Sequence, residues 1–238
     1  MNPLKQLDHY LAESLYTPLL SFLMAGAAFF ISIRYRKRHP QLGVFRIYFA
    51  AYIFVTICVF LTAAYGSHPS SHAVVVLSPL FDLLLTIIEF LVFIRYFAIL
   101  LPGARNRFLL RLIRALFLLV TFILFSRDLL FRSRLFQDTL QVIFVVQAAC
   151  LIAACFLYFI NIFRHTPVSR LRNEPGFWVA TGLSFMMVCT FPLSLFLNYV
   201  EAHGTVAYDS LFAIFYIFYC LLFLMIIRAY LCSPTSSK

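Results

Sequence analysis

The sequence predicts an all-α membrane protein, a bundle of seven transmembrane helices with its N-terminus outside and its C-terminus inside. Three observations predict this class. Hydrophobic residues make up 63% of the chain and charged residues only 12%, whereas soluble domains carry roughly 25% charged residues. The apolar residues form runs long enough to cross a bilayer. The basic residues collect in alternate connections between these runs. We therefore expect a single transmembrane domain over residues 1–238.

Seven apolar runs define the predicted spans, each bounded by charged residues or by a helix-breaking pair such as Pro102-Gly103. They cover residues 17–33, 42–65, 73–101, 109–125, 139–163, 177–199 and 208–230. Between the fourth and fifth spans, the segment at 126–138 alternates apolar and charged residues. We expect that segment to lie along the membrane surface.

The distribution of basic residues predicts the orientation. With the N-terminus outside, 15 of the 19 Lys and Arg residues fall on the inner side and 4 on the outer side, the outer ones being Lys5, Arg127, Arg132 and Arg134. Such an excess on one side is typical of cytoplasmic loops. The net charge of +10 is thereby explained by topology, so it does not indicate a nucleic-acid partner.

An inner basic rim follows from this orientation. Its predicted members flank the first span and precede the fourth, and they are Arg34, Arg36, Lys37, Arg38, Arg105 and Arg107. Basic residues next to a membrane attract anionic lipid head groups, by about 1 kcal/mol each. We expect this rim to contact anionic lipid and to offer a docking face for a cytosolic or membrane partner. A second copy of the chain is a further partner that the sequence leaves open.

The third span carries two acids inside an otherwise apolar run, Asp82 and Glu89. On a helix they share one stripe with Thr86 and Tyr96, and the two acids stand roughly 10 Å apart along the axis. A carboxylate in hydrocarbon costs at least ~2.5 kcal/mol, so such residues face the bundle interior and mark functional sites by default. Asp82, Thr86, Glu89 and Tyr96 are therefore candidates for a ligand or proton site.

The depth of Asp82 depends on where the third helix begins. If it begins near Ala73, Asp82 lies deep and Pro79 kinks the helix. If Ser78 caps it with Pro79 at the first position, Asp82 lies near the outer surface. In both registers Glu89 stays within roughly 6 Å of the bilayer centre.

The partners of these acids are predicted to be neutral. No Lys or Arg lies in the middle of another span, whereas several polar side chains do, among them Gln147 and Tyr219. Neutral donors suit a carboxyl group that is protonated, or one that binds a cation or proton. We predict that Glu89 is protonated in the resting protein and add Gln147 to the site. The alternative is a purely structural network in which Glu89 bonds to a neighbouring helix.

The sequence contains no pattern that indicates an enzyme, a cofactor or a metal centre. The three lysines, Lys5, Lys37 and Lys238, lie outside the spans, so no span can carry a Schiff base. No histidine lies within a span, and the six cysteines are spread through apolar runs in no metal-binding spacing. We expect no catalytic site.

The basic inner loop RHTPVSRLRNEPGFW leads directly into the sixth span. Glu174, Pro175, Phe177 and Trp178 form a helix start that resembles that of orphan bacterial seven-helix membrane proteins, which are similar to the membrane regions of two-component sensor kinases. The resemblance implies a sensory module in a bacterial inner membrane, standing beside a partner such as a histidine kinase. This chain shows no output domain in its sequence.

Two classes of function follow. The first is a receptor-like sensor, in which a ligand or a membrane state changes helix packing and the inner loops pass the change to a separate partner. The second is a small transporter or channel that uses Glu89 and Asp82 as a proton or cation path. Inverted repeats, which are common in transporters, are absent from the sequence.

Overall fold

A computed structural model describes the backbone of residues 3–35, 39–65, 72–101, 103–131, 136–165, 171–203 and 205–232. It describes the side chains of residues 18–35, 39–61, 80–101, 103–127, 139–164, 171–194 and 213–232. These parts of the chain are helical apart from short connections, with no strand. Seven long α-helices lie within these described ranges: α1 (Pro3–Arg34), α2 (Phe45–Tyr65), α3 (His72–Leu100), α4 (Ala104–Phe131), α5 (Phe136–His165), α6 (Pro175–His203) and α7 (Thr205–Leu231). A short 3₁₀-helix, Pro40–Val44, precedes α2.

Six of these helices are long and apolar enough to cross a membrane. The qualifying segments belong to α2 through α7, and α1 adds a shorter apolar segment, Pro18–Arg34. A helix is the natural solution for such sequences because it satisfies every backbone hydrogen bond internally where water is absent. The protein is therefore a multi-pass helical membrane protein, as its composition predicts.

The third helix adopts the longer of the two predicted registers. It begins at His72 and runs through Ser78 and Pro79 without a break. It ends at Leu100, and Gly103 follows with φ +105, a left-handed conformation that glycine adopts without strain. The predicted break at Pro102-Gly103 is thus confirmed at Gly103, whereas residue 102 lies outside the described part of the chain.

One local prediction is wrong. The segment at 126–138 was expected to lie along the membrane surface, but its first part, to Phe131, continues α4 and its last part, from Phe136, already belongs to α5. Residues 132–135 lie outside the described part of the chain. Helix α4 has 28 residues, which is roughly 42 Å of helix against a hydrocarbon core of roughly 30 Å. A helix of that length extends beyond the hydrocarbon core, so a charged residue near its end, such as Arg127, belongs to the helix without lying in the hydrocarbon. Arg127 donates a hydrogen bond to Thr139 of α5 at 3.2 Å.

The helices form a closed ring. Each helix packs against the next along the chain, and α7 packs against α1 to close the circle. Helix α3 also contacts α5 across the ring, and a hydrogen bond joins it to α7. Helix α3 therefore has neighbours on both sides and across the ring, so side chains on its inner stripe meet residues from several helices.

The outside of the bundle is apolar. Exposed leucines, isoleucines and phenylalanines occur on every helix, and on α4 Phe108 and Phe122 expose 64% and 69% of their surface. In water such a surface would be unstable, but hydrocarbon solvates it. Helix α4 is the most peripheral of the six long apolar helices, since only 17% of its apolar segment is buried inside the bundle.

One end of the bundle carries most of the described arginines, and we call it the basic end. There α1, α3, α5 and α7 finish and α2, α4 and α6 begin. Two long-range hydrogen bonds tie the last turn of α7 to the chain just before α2. The Tyr230 hydroxyl donates to the Leu42 carbonyl at 2.6 Å, and His39 Nε2 donates to the Cys232 carbonyl at 3.0 Å.

The single tryptophan of the chain lies at the same end. Trp178 Nε1 donates to the Arg172 carbonyl at 2.8 Å, and the guanidinium of Arg228, on α7, lies 5.6 Å from the indole centroid. Cation–π contact of this kind is attractive. Trp178 therefore contacts the last turn of α7 directly.

Candidate functional site

Glu89 lies in the interior of the bundle, as its position on the α3 stripe predicts. Only 1% of its surface is exposed. The Tyr219 hydroxyl of α7 donates to Glu89 Oε2 at 3.3 Å. Gln147 of α5, fully buried, lies close enough to interact with the same carboxyl group. Three helices thus converge on this acid.

The hydrogen bonding of this group is incomplete. Among the described residues, Glu89 Oε1 has no hydrogen-bond partner, and neither atom of the Gln147 amide makes a hydrogen bond of normal geometry. A buried polar atom without a partner costs about 1–3 kcal/mol. A proton or ligand that supplies the missing bond would be bound with that much additional stability.

Tyrosines from α2 extend the polar group toward α1. Tyr48 interacts electrostatically with Glu89, and its hydroxyl is buried without a partner in the described structure. The Tyr52 hydroxyl donates to Ser21 Oγ at 3.0 Å, and Ser21 donates to the Pro18 carbonyl at 2.8 Å. We call Glu89, Gln147, Tyr48, Tyr52 and Tyr219 the central polar cluster.

Aromatic rings fill the interior between this cluster and the basic end. Tyr48 packs against Phe93 at 5.7 Å and Phe223 at 6.1 Å between ring centroids, and Phe45 packs against Tyr96 at 4.8 Å. All five rings are fully buried. Interdigitated aromatic side chains leave little room for water, so the cluster is separated from the basic end by a packed layer.

Asp82 is placed differently from Glu89. It lies on the same stripe and interacts electrostatically with Tyr216 and Tyr219 of α7, which agrees with the predicted inward direction. More than a third of its surface is nevertheless exposed. Helix α3 therefore encloses Glu89, whereas Asp82, whose depth the sequence left open, lies in a more open part of the bundle.

The remaining predicted site residues divide between two regions. Gln147 joins Glu89, as predicted. Thr86 is half-buried on the stripe between the two acids, and the interactions described for Glu89 do not include it. Tyr96 is fully buried but lies near Tyr158, Tyr230 and Glu174 toward the basic end, so the structure does not bring it together with Glu89.

Sequence reasoning did not name Tyr48, and it named Tyr219 only as one of several neutral side chains available to the acids. The signal for Tyr48 was its spacing from Tyr52, which places two hydroxyl groups on one face of α2. The signal for Tyr219 was weaker, because α7 carries aromatic residues at many positions. Helix packing alone identifies which of them meets Glu89.

The basic rim is only partly described. Arg34, Arg105 and Arg107 are exposed at the basic end, as expected of residues that contact lipid or a partner. Arg36, Lys37 and Arg38 lie outside the described residues. Within the part of the chain that the structure describes, no group of three His, Cys, Asp or Glu residues is arranged to hold a metal ion.

Comparison with family models, with curated proteins and with solved structures found no match to this chain. What the protein does must therefore be inferred from its own residues.

Proposed function

We propose that the protein is a receptor-like sensor of seven transmembrane helices, with its N-terminus outside and its basic end at the cytoplasmic face of a bacterial inner membrane. The basic end relays the state of the central polar cluster to a separate cytosolic or membrane partner. A histidine kinase is the partner that the resemblance in the sixth span implies.

The incomplete hydrogen bonding of Glu89 carries this proposal. A structural network would be expected to satisfy its buried polar atoms, because each unsatisfied one destabilises the fold. Here Glu89 Oε1, the Gln147 amide and the Tyr48 hydroxyl are buried together without partners among the described residues. Protonation of Glu89, or binding of a small cationic ligand, would change which of these groups bond to one another.

Helix α7 provides the connection to the basic end. Tyr219 contacts Glu89. Tyr230, roughly 16 Å further along the same helix, and Cys232, just after the helix ends, make the hydrogen bonds that tie this end of α7 to Leu42 and His39. A helix moves as a rigid element, so a shift at Tyr219 displaces this last turn. The bundle would then have two packing arrangements, and protonation or ligand binding at Glu89 would shift the balance between them.

The experiment uses Trp178 as an intrinsic reporter, because this sole tryptophan contacts Arg228 of α7. Trp178 emission is followed through a pH titration of the protein in lipid nanodiscs. We expect the wild type to show a transition that is lost in Glu89→Gln, since glutamine keeps the shape but cannot titrate. Asp82→Asn is the matched control on the same stripe and should retain the transition.

Arg228→Gln should abolish the emission change while leaving the protein folded, which shows that the signal comes from α7. A Glu89→Gln protein that reproduces the wild-type titration would contradict the proposal and leave Glu89 a packing residue.

Proton or cation transport is the second candidate function, and the exposure of the Asp82 side chain favours it. An open acid two turns from a buried one is the arrangement expected of a half-path for a proton or cation. The aromatic layer between the cluster and the basic end supports the sensor instead. Proton flux into proteoliposomes decides between them: flux that disappears in Glu89→Gln would establish transport, whereas the sensor should show no more flux than empty liposomes.

The proposed orientation is tested by labelling. A reporter fused after Lys238 should read cytoplasmic, and a cysteine at Ser70 should react with an impermeant reagent added outside, because the basic residues are retained on the cytoplasmic side. A reporter at Lys238 that reads external would overturn both the orientation and the count of seven spans.

A further inference from the structure

We propose that the groove between α4 and α5 at the basic end is a binding site for one anionic phospholipid. Its volume is about 430 Å³, and it is lined by residues of the first turns of α4 and the last turns of α5. This site is separate from the central polar cluster, and it holds whether or not the chain acts as a sensor.

The polar part of the groove suits a phosphate group. Arg105 and Arg164 both line it and are both exposed, one from each helix. Asn106 and Asn161 form the adjoining walls and already have interactions of their own. Arginine binds phosphate oxygens through several N–H donors at once. Among the residues that the structure describes, no acidic side chain lines the groove, so the charge that they present to a ligand is purely positive.

The apolar part of the groove suits an acyl chain. Leu109 lies one turn below Arg105, roughly 6 Å along α4, and Leu157 lies two turns from Arg164, roughly 10 Å along α5. Ile160 adds a third apolar surface and is 37% exposed. The groove is thus basic at the end of the helices and apolar toward the middle of the bundle, the same polarity as a phospholipid in the leaflet.

The groove also faces lipid. Phe108 and Phe163, next to groove residues in sequence, expose 64% and 58% of their surface, and α4 is the most peripheral helix of the bundle. Basic pockets between transmembrane helices bind anionic head groups. A soluble partner would have to displace lipid from both phenylalanines, so charge and position together favour a lipid.

The test is the binding of short-chain phosphatidylglycerol to the purified full-length protein in neutral detergent, with phosphatidylcholine of the same chain length for comparison. We expect phosphatidylglycerol to bind the wild type more tightly. In Arg105→Gln/Arg164→Gln the affinity should fall about 25-fold, the effect of two arginines at ~1 kcal/mol each. Arg111→Gln/Arg114→Gln is the matched control, because it removes the same charge from exposed α4 positions outside both the groove and the basic rim, and it should lose much less.

Three outcomes would overturn the proposal: equal losses in the two double variants, equal affinity for the two lipids, or inorganic phosphate alone binding as well as phosphatidylglycerol at matched ionic strength. Ile160→Trp provides an independent variant. The larger side chain fills the apolar part of the groove while both arginines remain, so this variant should also bind phosphatidylglycerol more weakly. Unchanged binding would contradict the proposed position of the acyl chain.

Discussion

Glu89→Lys is expected to prevent assembly of the bundle. The side chain at this position is 1% exposed and is enclosed by α2, α5 and α7. Lysine would place a cation near the bilayer centre, where the described structure offers no acid to pair with it. A charge there costs at least about 2.5 kcal/mol, and the longer side chain would also displace the surrounding rings. We expect little or no monodisperse protein by gel filtration after solubilisation.

Asp82→Lys is the matched control, since it makes the same change of charge two turns away on the same helix. More than a third of the Asp82 surface is exposed, and Asp82 stands roughly 10 Å along the axis from Glu89, toward the end of the span. A lysine there is not enclosed and can extend its amine to the interface, so the protein should be recovered in near wild-type yield. Recovery of Glu89→Lys at the wild-type yield and melting temperature would mean that Glu89 is not enclosed as described.

Gly182→Ala is expected to destabilise the bundle by pushing α6 and α7 apart. A Cβ atom at Gly182 would lie 2.7 Å from the Cβ and 3.0 Å from the Cγ of Met225, closer than carbon atoms pack. Small residues allow transmembrane helices to approach closely, and overpacking a buried contact costs about 1–3 kcal/mol. We expect a lower melting temperature in detergent, measured by circular dichroism.

Gly26→Ala provides the opposite control. In the described structure, no atom beyond its own helix lies within 4 Å of a Cβ at this position. Alanine there should be neutral or stabilising, because glycine is about 1 kcal/mol less favourable than alanine within a helix. A Gly182→Ala protein as stable as Gly26→Ala would show that the α6–α7 contact is looser than the structure indicates.

Much of the site could be predicted from local sequence, including Gln147 as a partner of Glu89, but which tyrosines meet Glu89 could not. The stripe on α3 correctly indicates that Glu89 faces inward, because helical periodicity alone determines which residues share a face. Periodicity does not indicate how α2 and α7 are rotated against α3. Tyr48 and Tyr219 therefore appear in the cluster only once the helices are packed, and Tyr96, although on the correct face, belongs to the layer near the basic end.

The sequence by itself determined that this is a helical membrane protein, the order and approximate limits of its helices, and the inward direction of Glu89. These properties depend on hydropathy and on the rise per residue, which are local. The tertiary structure decided that Asp82 stays open while Glu89 is enclosed, that residues 126–131 continue α4, and that a basic groove forms between α4 and α5. Each of these depends on how closely neighbouring helices approach at a given level, and that distance is set by side chains on helices far apart in the chain.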